Sequence, residues 1–202
     1  MEFNKSNRFN NEDQNQNLIH YKGKIGEFYY DPDIWEICKS EIYNRSYLHL
    51  KNVHTKNIEL PKGLNSCYKM FFNCKLSGNF TLGDNFDTSN ITDMENMFCN
   101  CTMPKKFSLG KNFDTSKVFN MENMFYNCLL SENFSLGEKF DTSKVKHMYS
   151  MFAYCILPNK FDLGKNFNIS SLTDINNMFY KCKFSFEFAQ KYKDLILKSQ
   201  QQ

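Results

Sequence analysis

Apolar side chains recur along this chain with a period of 27 residues. The chain from Phe80 to Cys182 divides into four repeats, here called rows, whose equivalent positions form columns. The clearest columns are Phe86, Phe113, Phe140 and Phe167, and Cys101, Cys128, Cys155 and Cys182. A fixed period of this size is typical of a solenoid, in which each repeat buries its apolar face only against its neighbours. The pattern therefore predicts stacked repeats.

Two shorter patterns lie inside each row. Phe107-Ser108-Leu109 alternates apolar and polar side chains, as a half-buried strand does, and Gly110 ends it. Further along the row, apolar side chains are spaced as on one face of a short helix, at Val118, Met121, Met124 and Phe125. The two patterns together predict an α/β solenoid of the leucine-rich-repeat type, with one short parallel strand and one short helical turn per row and a cap at each end.

The rest of the chain divides around these rows. Residues 1–17 are rich in Asn and Gln, which predicts a disordered tail. Residues 18–60 lack the period and alternate like short strands, so we expect a β-type N-terminal cap before a leucine-rich-repeat solenoid over 61–183. Apolar side chains in 184–202 follow the stripe of an amphipathic helix, which predicts a capping helix from about Ser185 to Ser199, followed by a short tail.

The repeated unit FDTSxVxxMxxMFxxC resembles the repeat of the BspA-like leucine-rich-repeat surface proteins. Phe86 to Met94 matches the usual family form FDTSNVTDM almost letter for letter, and Met97-Phe98 completes it. The resemblance covers about residues 58–188. It implies a right-handed solenoid and, for many members, a surface-exposed binding or adhesion role, and it carries no catalytic residue.

Charge and hydropathy narrow the partner and the compartment. The formal net charge of +3 is too small to favour nucleic acid or an anionic membrane as the main partner. No apolar run is long enough for a membrane-spanning helix, and no secretory signal is visible. We therefore expect the cytoplasm by default, or the cell surface or medium if the chain is truncated or exported by a non-classical route. The abundance of Asn and Lys we attribute to AT-rich coding.

Five of the eight cysteines occupy one column of the repeat, beginning with Cys74. Equivalent atoms in adjacent repeats would lie about 4.8 Å apart with parallel side chains. A disulfide needs Cβ atoms about 3.5–4.5 Å apart that face each other. The column therefore predicts buried free thiols, which suit a reducing compartment.

One acidic column invites a calcium hypothesis, because stacked repeats can align carboxylates. Its members are Asp87, Asp114, Asp141 and Asn168. Calcium needs six to eight oxygen ligands around one point, whereas one carboxylate beside Thr and Ser makes a capped turn, which we favour. The four His residues show no zinc spacing with Cys99-Asn100-Cys101, and His147 is two rows from Cys99. We therefore expect no metal, no cofactor and no enzymatic activity.

Binding residues are best sought where the rows differ, because the repeated columns are committed to packing. On the predicted helical side these candidates are Tyr126, Tyr149, Tyr154, Tyr180 and Phe119, and on the predicted sheet face they are Lys106, Lys160 and Asp162. Exposed tyrosines are good interface anchors, although they could equally just cover the convex surface.

These features favour a monomeric, non-enzymatic module that binds a protein partner. One alternative is a surface adhesin or virulence-type protein whose export signal is absent from this chain. The second alternative is a structural repeat protein that assembles with itself through the ends of the stack.

Overall fold

The computed structural model describes residues 18–23, 25–40, 45–51, 58–76, 78 and 80–200, so the predicted tail over 1–17 lies outside the described residues. Six elements of regular structure occur in this part of the chain: β1 (Ile19–Gly23), β2 (Gly26–Tyr30), β3 (Trp35–Ser40), β4 (Arg45–Leu50), α1 (Phe186–Lys191) and α2 (Lys193–Lys198).

The N-terminal region forms two antiparallel two-stranded sheets. β1 pairs with β2, and β3 pairs with β4 so that Trp35 lies opposite Leu50. The backbone N–H of Leu50 donates to the carbonyl of Met70, and the Trp35 ring meets Phe71 edge-on at 6.5 Å. The second sheet therefore packs against an incomplete row that precedes the four rows and runs from Cys67 to Cys74.

The prediction of a leucine-rich-repeat-type α/β solenoid is wrong. Within the described residues, every named strand belongs to the two N-terminal antiparallel sheets, and both helices follow the last row. The rows contain neither the parallel strand nor the helical turn that the sequence predicts. They consist of turns, joined by isolated parallel bridges such as Asp93 with Asn120 and Asn120 with His147.

Backbone hydrogen bonding explains why the helical spacing does not produce a helix. In the second half of a row, alternate N–H groups donate to the next row, as Asn96 does to the carbonyl of Glu122 at 2.8 Å. Between them lie single turns, such as the bond from Met97 N–H to the carbonyl of Met94. An α-helix requires each N–H to bond four residues back, so bonds between rows exclude it.

Left-handed backbone at two positions per row completes these turns. The values of φ are 58° at Asn96 and 59° at Asn100. The same two columns are left-handed in all of the remaining rows. Turns with φ above zero at their third residue favour Gly or Asn, because other side chains crowd the backbone there. Asparagine at these positions therefore has a backbone role that composition alone does not reveal.

The predicted strand segment keeps its side-chain alternation without joining a sheet. Phe107 and Leu109 are buried and Ser108 is exposed. The Ser108 carbonyl accepts a hydrogen bond from the Thr81 hydroxyl of the preceding row, at 3.3 Å. A side chain thus supplies the contact between rows where a parallel sheet would use the backbone.

Stacked phenylalanine rings form the centre of the molecule. One column has ring centroids 5.0–5.9 Å apart and planes within 5° of parallel, and it comprises Phe71, Phe98, Phe125, Phe152 and Phe179. A second column meets the first edge-on and comprises Phe80, Phe107, Phe134 and Phe161. The core is therefore continuous along the stack.

Two short helices occupy the segment where the sequence predicts one. The Ser185 hydroxyl accepts from Phe188 N–H and caps α1, and Tyr192 interrupts the helical backbone with a φ of −113°. Phe188 packs on Phe161 at 5.8 Å, and the Tyr192 hydroxyl accepts from Leu163 N–H at 3.1 Å. These contacts place α1 and the Tyr192 residue that follows it over the last row. Across the part of the chain that the structure describes, no helix has the length and apolarity needed to cross a bilayer.

Candidate functional site

The four candidate tyrosines line one depression on the surface of the rows. It encloses about 530 Å³, and its walls are formed by Tyr126, Tyr149, Tyr154 and Tyr180, with Asn123, Ser150 and Asn177 completing the lining. We call these seven residues the tyrosine groove. Tyr149, Tyr154 and Tyr180 are exposed and Tyr126 is half-buried. The candidates lie on consecutive turns rather than on the predicted helical face.

Three residues of the groove come from one left-handed column. Asn123, Ser150 and Asn177 hold equivalent positions in consecutive rows, with φ values of 53°, 53° and 58°. The backbone N–H of Asn123 donates to the carbonyl of Tyr149, which ties two rows together inside the groove. The third row has Ser150 at the position where the second and fourth rows have asparagine. Its side chain there is therefore shorter than those of the two adjacent rows.

The tyrosine wall is a zigzag over three rows. The Tyr126 and Tyr154 rings lie 5.3 Å apart, and the Tyr154 and Tyr180 rings lie 5.6 Å apart. Tyr126 and Tyr180 hold the same position two rows apart, and the buried Ala153 holds that position in the row between them. Because Ala153 has so small a side chain, the adjacent Tyr154 ring contacts both neighbours.

Tyr154 occupies a backbone position that suits asparagine. In the preceding rows this column forms an amide ladder, in which Asn100 donates to Asn73 at 3.0 Å and Asn127 donates to Asn100 at 2.9 Å. Tyr154 ends the ladder while keeping the left-handed conformation, with a φ of 61°. That conformation costs an ordinary residue about 1–2 kcal/mol. Such a strained residue at a surface groove points to a function other than folding.

The groove is uncharged apart from one cation at its edge. The Lys181 ammonium lies 5.6 Å from the Tyr154 ring centre and 5.3 Å from that of Tyr180. Burial raises the pKa of the Tyr126 phenol, which keeps it protonated. Within the described residues, the four phenol hydroxyls and the amides of Asn123 and Asn177 make no hydrogen bond. These groups are therefore available to a ligand.

The other four candidates do not line the tyrosine groove. Phe119, with 46% of its surface exposed, and the exposed Lys106 and Lys160 lie outside it. Asp162 forms an ion pair with Lys191 of α1 and accepts from the Gly164 N–H, and the Lys191 ammonium lowers the pKa of its carboxyl. Asp162 thus attaches the C-terminal helices to the last row.

The acidic column forms the capped turns that we favoured over calcium. Asp87 Oδ1 accepts from the N–H two residues on at 2.9 Å, and the equivalent bonds recur in the other rows, at Asp114, Asp141 and Asn168. The hydrogen bond from Ser89 N–H lowers the pKa of the Asp87 carboxyl. Among the described residues, no group of three or more His, Cys, Asp or Glu side chains could hold a metal ion.

The threonine beside each of these aspartates has a role that our sequence analysis missed. The buried Thr115 hydroxyl donates to the Asp141 carbonyl at 2.8 Å and accepts from the Asp141 N–H at 2.8 Å. Thr88 and Thr142 bridge their own next rows in the same way. The last row has Ile169 instead, and no further row follows it. The replacement of threonine by isoleucine in the last row was the sign, visible in the sequence, that the threonine hydroxyl bonds the following row.

The cysteine column consists of free, protonated thiols, which are buried except for the half-buried Cys182 of the last row. The thiols of Cys101, Cys128 and Cys155 donate to phenylalanine carbonyls of the preceding row. Burial raises the pKa of Cys155 to about 12 and that of Cys99 to about 11. A nucleophilic cysteine needs an accessible thiolate, so the chemistry of these side chains is that of packing groups.

Sequence reasoning found the tyrosines of the groove but missed Asn123, Ser150, Asn177 and Lys181. The available signal was the third row itself. The first and second rows have asparagine at both left-handed positions. The third row has Ser150 and Tyr154 there instead. Row-variable positions at which the backbone is also left-handed therefore coincide with the groove.

Comparison with known families gives one match. The family model described as "Mycoplasma protein of unknown function, DUF285" matches residues 65–194, which is more than half of the chain and includes the whole tyrosine groove. Neither the curated proteins nor the solved structures contain a match.

Proposed function

Because this chain belongs to the DUF285 family, and its family segment contains the tyrosine groove, we propose that it is a non-enzymatic module that binds a protein partner through that groove. The observation that carries the proposal is the convergence of four row-variable tyrosines on one depression. Tyrosine is enriched at protein interfaces, because its ring buries a large apolar area while its hydroxyl hydrogen-bonds.

The resemblance to BspA-like repeats supports the same function. In that family the repeats commonly serve surface binding, and the FDTS and MF motifs that carry the resemblance lie in the rows that form the groove. The framework residues of those motifs are buried or bonded between rows here. A partner is therefore left with the positions that vary from row to row.

The chemistry of the described side chains favours binding over catalysis. The thiols of the column are protonated and all but the half-buried Cys182 are buried, and His147 faces Glu122 at 3.7 Å rather than a nucleophile. An uncharged groove lined by phenols and amides offers contact area and hydrogen bonds, but no activated nucleophile or base.

Selection from a random peptide library displayed on phage tests this function. Peptides selected on the full chain are expected to bind the triple variant Tyr126→Ala, Tyr154→Ala, Tyr180→Ala at least about tenfold more weakly, since interface anchors cost about 2 kcal/mol or more when truncated. Biolayer interferometry would measure the affinities, and circular dichroism would check that the variant is folded.

Tyr29→Ala is the matched control, because this tyrosine is 45% exposed on β2 and outside the tyrosine groove. It is expected to retain the affinity of the wild type. Peptides that bind the triple variant as tightly as the wild type would refute the proposal, and so would a library that yields no binder.

A further inference from the structure

We propose that the tyrosine groove binds an extended, proline-rich peptide segment that carries an acidic residue at the Lys181 end, an inference that rests on the function proposed above. The groove's length, its hydrogen-bonding groups, its ring faces and its charge each support this class of ligand.

The length of the groove matches one turn of a polyproline II helix. Asn123, Ser150 and Asn177 lie in three consecutive rows joined by parallel bridges along the stack. With a spacing of about 4.8 Å between rows, these residues span about 10 Å. Polyproline II has three residues per turn and a rise of 3.1 Å, or about 9 Å per turn. Three peptide residues therefore cover the groove along the stack.

The hydrogen-bonding groups of the groove include donors that a ligand rich in acceptors can use. The amides of Asn123 and Asn177 can each donate two hydrogen bonds, and the phenols can donate one each. Within the described residues, no protein acceptor takes these hydrogens. A proline residue has a carbonyl but no N–H, and polyproline II leaves its carbonyls without internal partners.

The ring faces of the groove suit proline side chains. Tyr126, Tyr154 and Tyr180 present a zigzag of rings over three rows, with neighbouring planes at 59° and 77°. Rings at such angles leave clefts rather than one flat face. Aromatic-lined grooves with this character bind proline-rich segments, whose preformed conformation loses little entropy on binding.

The charge at one edge gives the ligand a direction. The Lys181 side chain is exposed and its ammonium lies over the Tyr154 and Tyr180 rings, while no carboxylate lines the groove. The ammonium repels a cationic peptide and attracts a carboxylate at that edge.

Fluorescence anisotropy with the full chain tests the inference. The probe is a labelled peptide of six prolines followed by two glutamates, and the matched probes replace the prolines by glycines or the glutamates by lysines. We expect saturable binding of the first probe, and affinity lower by at least about tenfold, or about 1.4 kcal/mol, for the glycine probe. The lysine probe should also bind more weakly.

Tyr154→Asn is the decisive variant, because it restores the residue of the preceding rows at a left-handed position and should fold. We expect it to bind the proline-glutamate probe at least about tenfold more weakly. Lys181→Gln should remove the preference for the glutamate probe over the lysine probe. Tyr29→Ala should bind like the wild type.

The outcomes separate this inference from the proposed function. Library peptides that need the tyrosines but contain no proline would overturn the inference and leave the function standing. Failure of the proline probe to bind at about 1 mM, equal binding of the glycine probe, or full affinity of Tyr154→Asn would also overturn it. Binding to a glycan array that Tyr154→Asn abolishes, without peptide binding, would replace the peptide by a sugar.

Discussion

The second and third rows of this protein have the same core and different surfaces. Phe125 in the second row stacks on the phenylalanines before and after it at 5.5 Å, and Phe152 in the third does so at 5.5 and 5.9 Å. Each also meets a ring of the second phenylalanine column edge-on. Each apolar side chain that is buried in the second row has a buried apolar counterpart in the third.

Around the tyrosine groove the third row departs from the second at four neighbouring positions. Its residues are Tyr149, Ser150, Ala153 and Tyr154, where the second row has Glu122, Asn123, Tyr126 and Asn127. The exchange ends an amide ladder and places a tyrosine in a left-handed conformation. Because the buried columns already hold the rows together, surface positions can change without altering the stack. This separation lets the third row complete a candidate site that spans three rows.

The largest expected effect tests whether the core residues of the second and third rows contribute equally to stability. Phe125→Ala and Phe152→Ala should each lower the free energy of unfolding by about 3–5 kcal/mol, because each leaves a cavity inside the ring stack. Urea denaturation followed by circular dichroism would measure both. Phe119→Ala, at an exposed position, should change the free energy of unfolding by less than about 0.5 kcal/mol. A loss below about 1 kcal/mol for either core variant would show that its column is not core.

A smaller effect tests the threonine bridge that both rows share. Thr115→Val should lower the free energy of unfolding by about 1–3 kcal/mol, because it removes the donor to the Asp141 carbonyl and one of the two acceptors of the Asp141 N–H, which also bonds the Lys139 carbonyl. Thr142→Val should behave alike. Thr102→Val, at an exposed bridge position, is the control, with little change expected. Equal stability of all three variants would mean that the hydroxyl bridges add nothing.

The smallest expected effect comes from placing the tyrosine of the third row at the equivalent position of the second. Asn127→Tyr should lower the free energy of unfolding by about 1–2 kcal/mol, since it places a bulky side chain in the left-handed region. Leu129→Tyr, at an exposed position of ordinary φ in the same row, should change it little. If Asn127→Tyr leaves the free energy of unfolding unchanged, a tyrosine at this position is not strained. Backbone strain at Tyr154 would then no longer support a functional role for that residue.

The buried positions and the candidate tyrosines were predictable because each depends on a property of individual residues. A column that is apolar in every row is buried in the first three rows, and in each of these rows an aspartate followed two residues later by serine makes a capped turn. Tyrosines at row-variable positions were correctly expected at the surface. The convergence of Tyr126, Tyr154 and Tyr180 was not predictable, because it depends on Ala153 leaving space between rows.

The amino-acid sequence by itself determined the period of 27 residues, the columns that the core buries and the family to which the chain belongs. Only the tertiary structure decided the backbone between those columns. Spacings of three, three and one are shared by a helix and by successive turns, so side-chain periodicity cannot tell which carbonyl an N–H group bonds. In this protein alternate N–H groups bond the next row, and the same bonds bring the tyrosines of three rows to one groove.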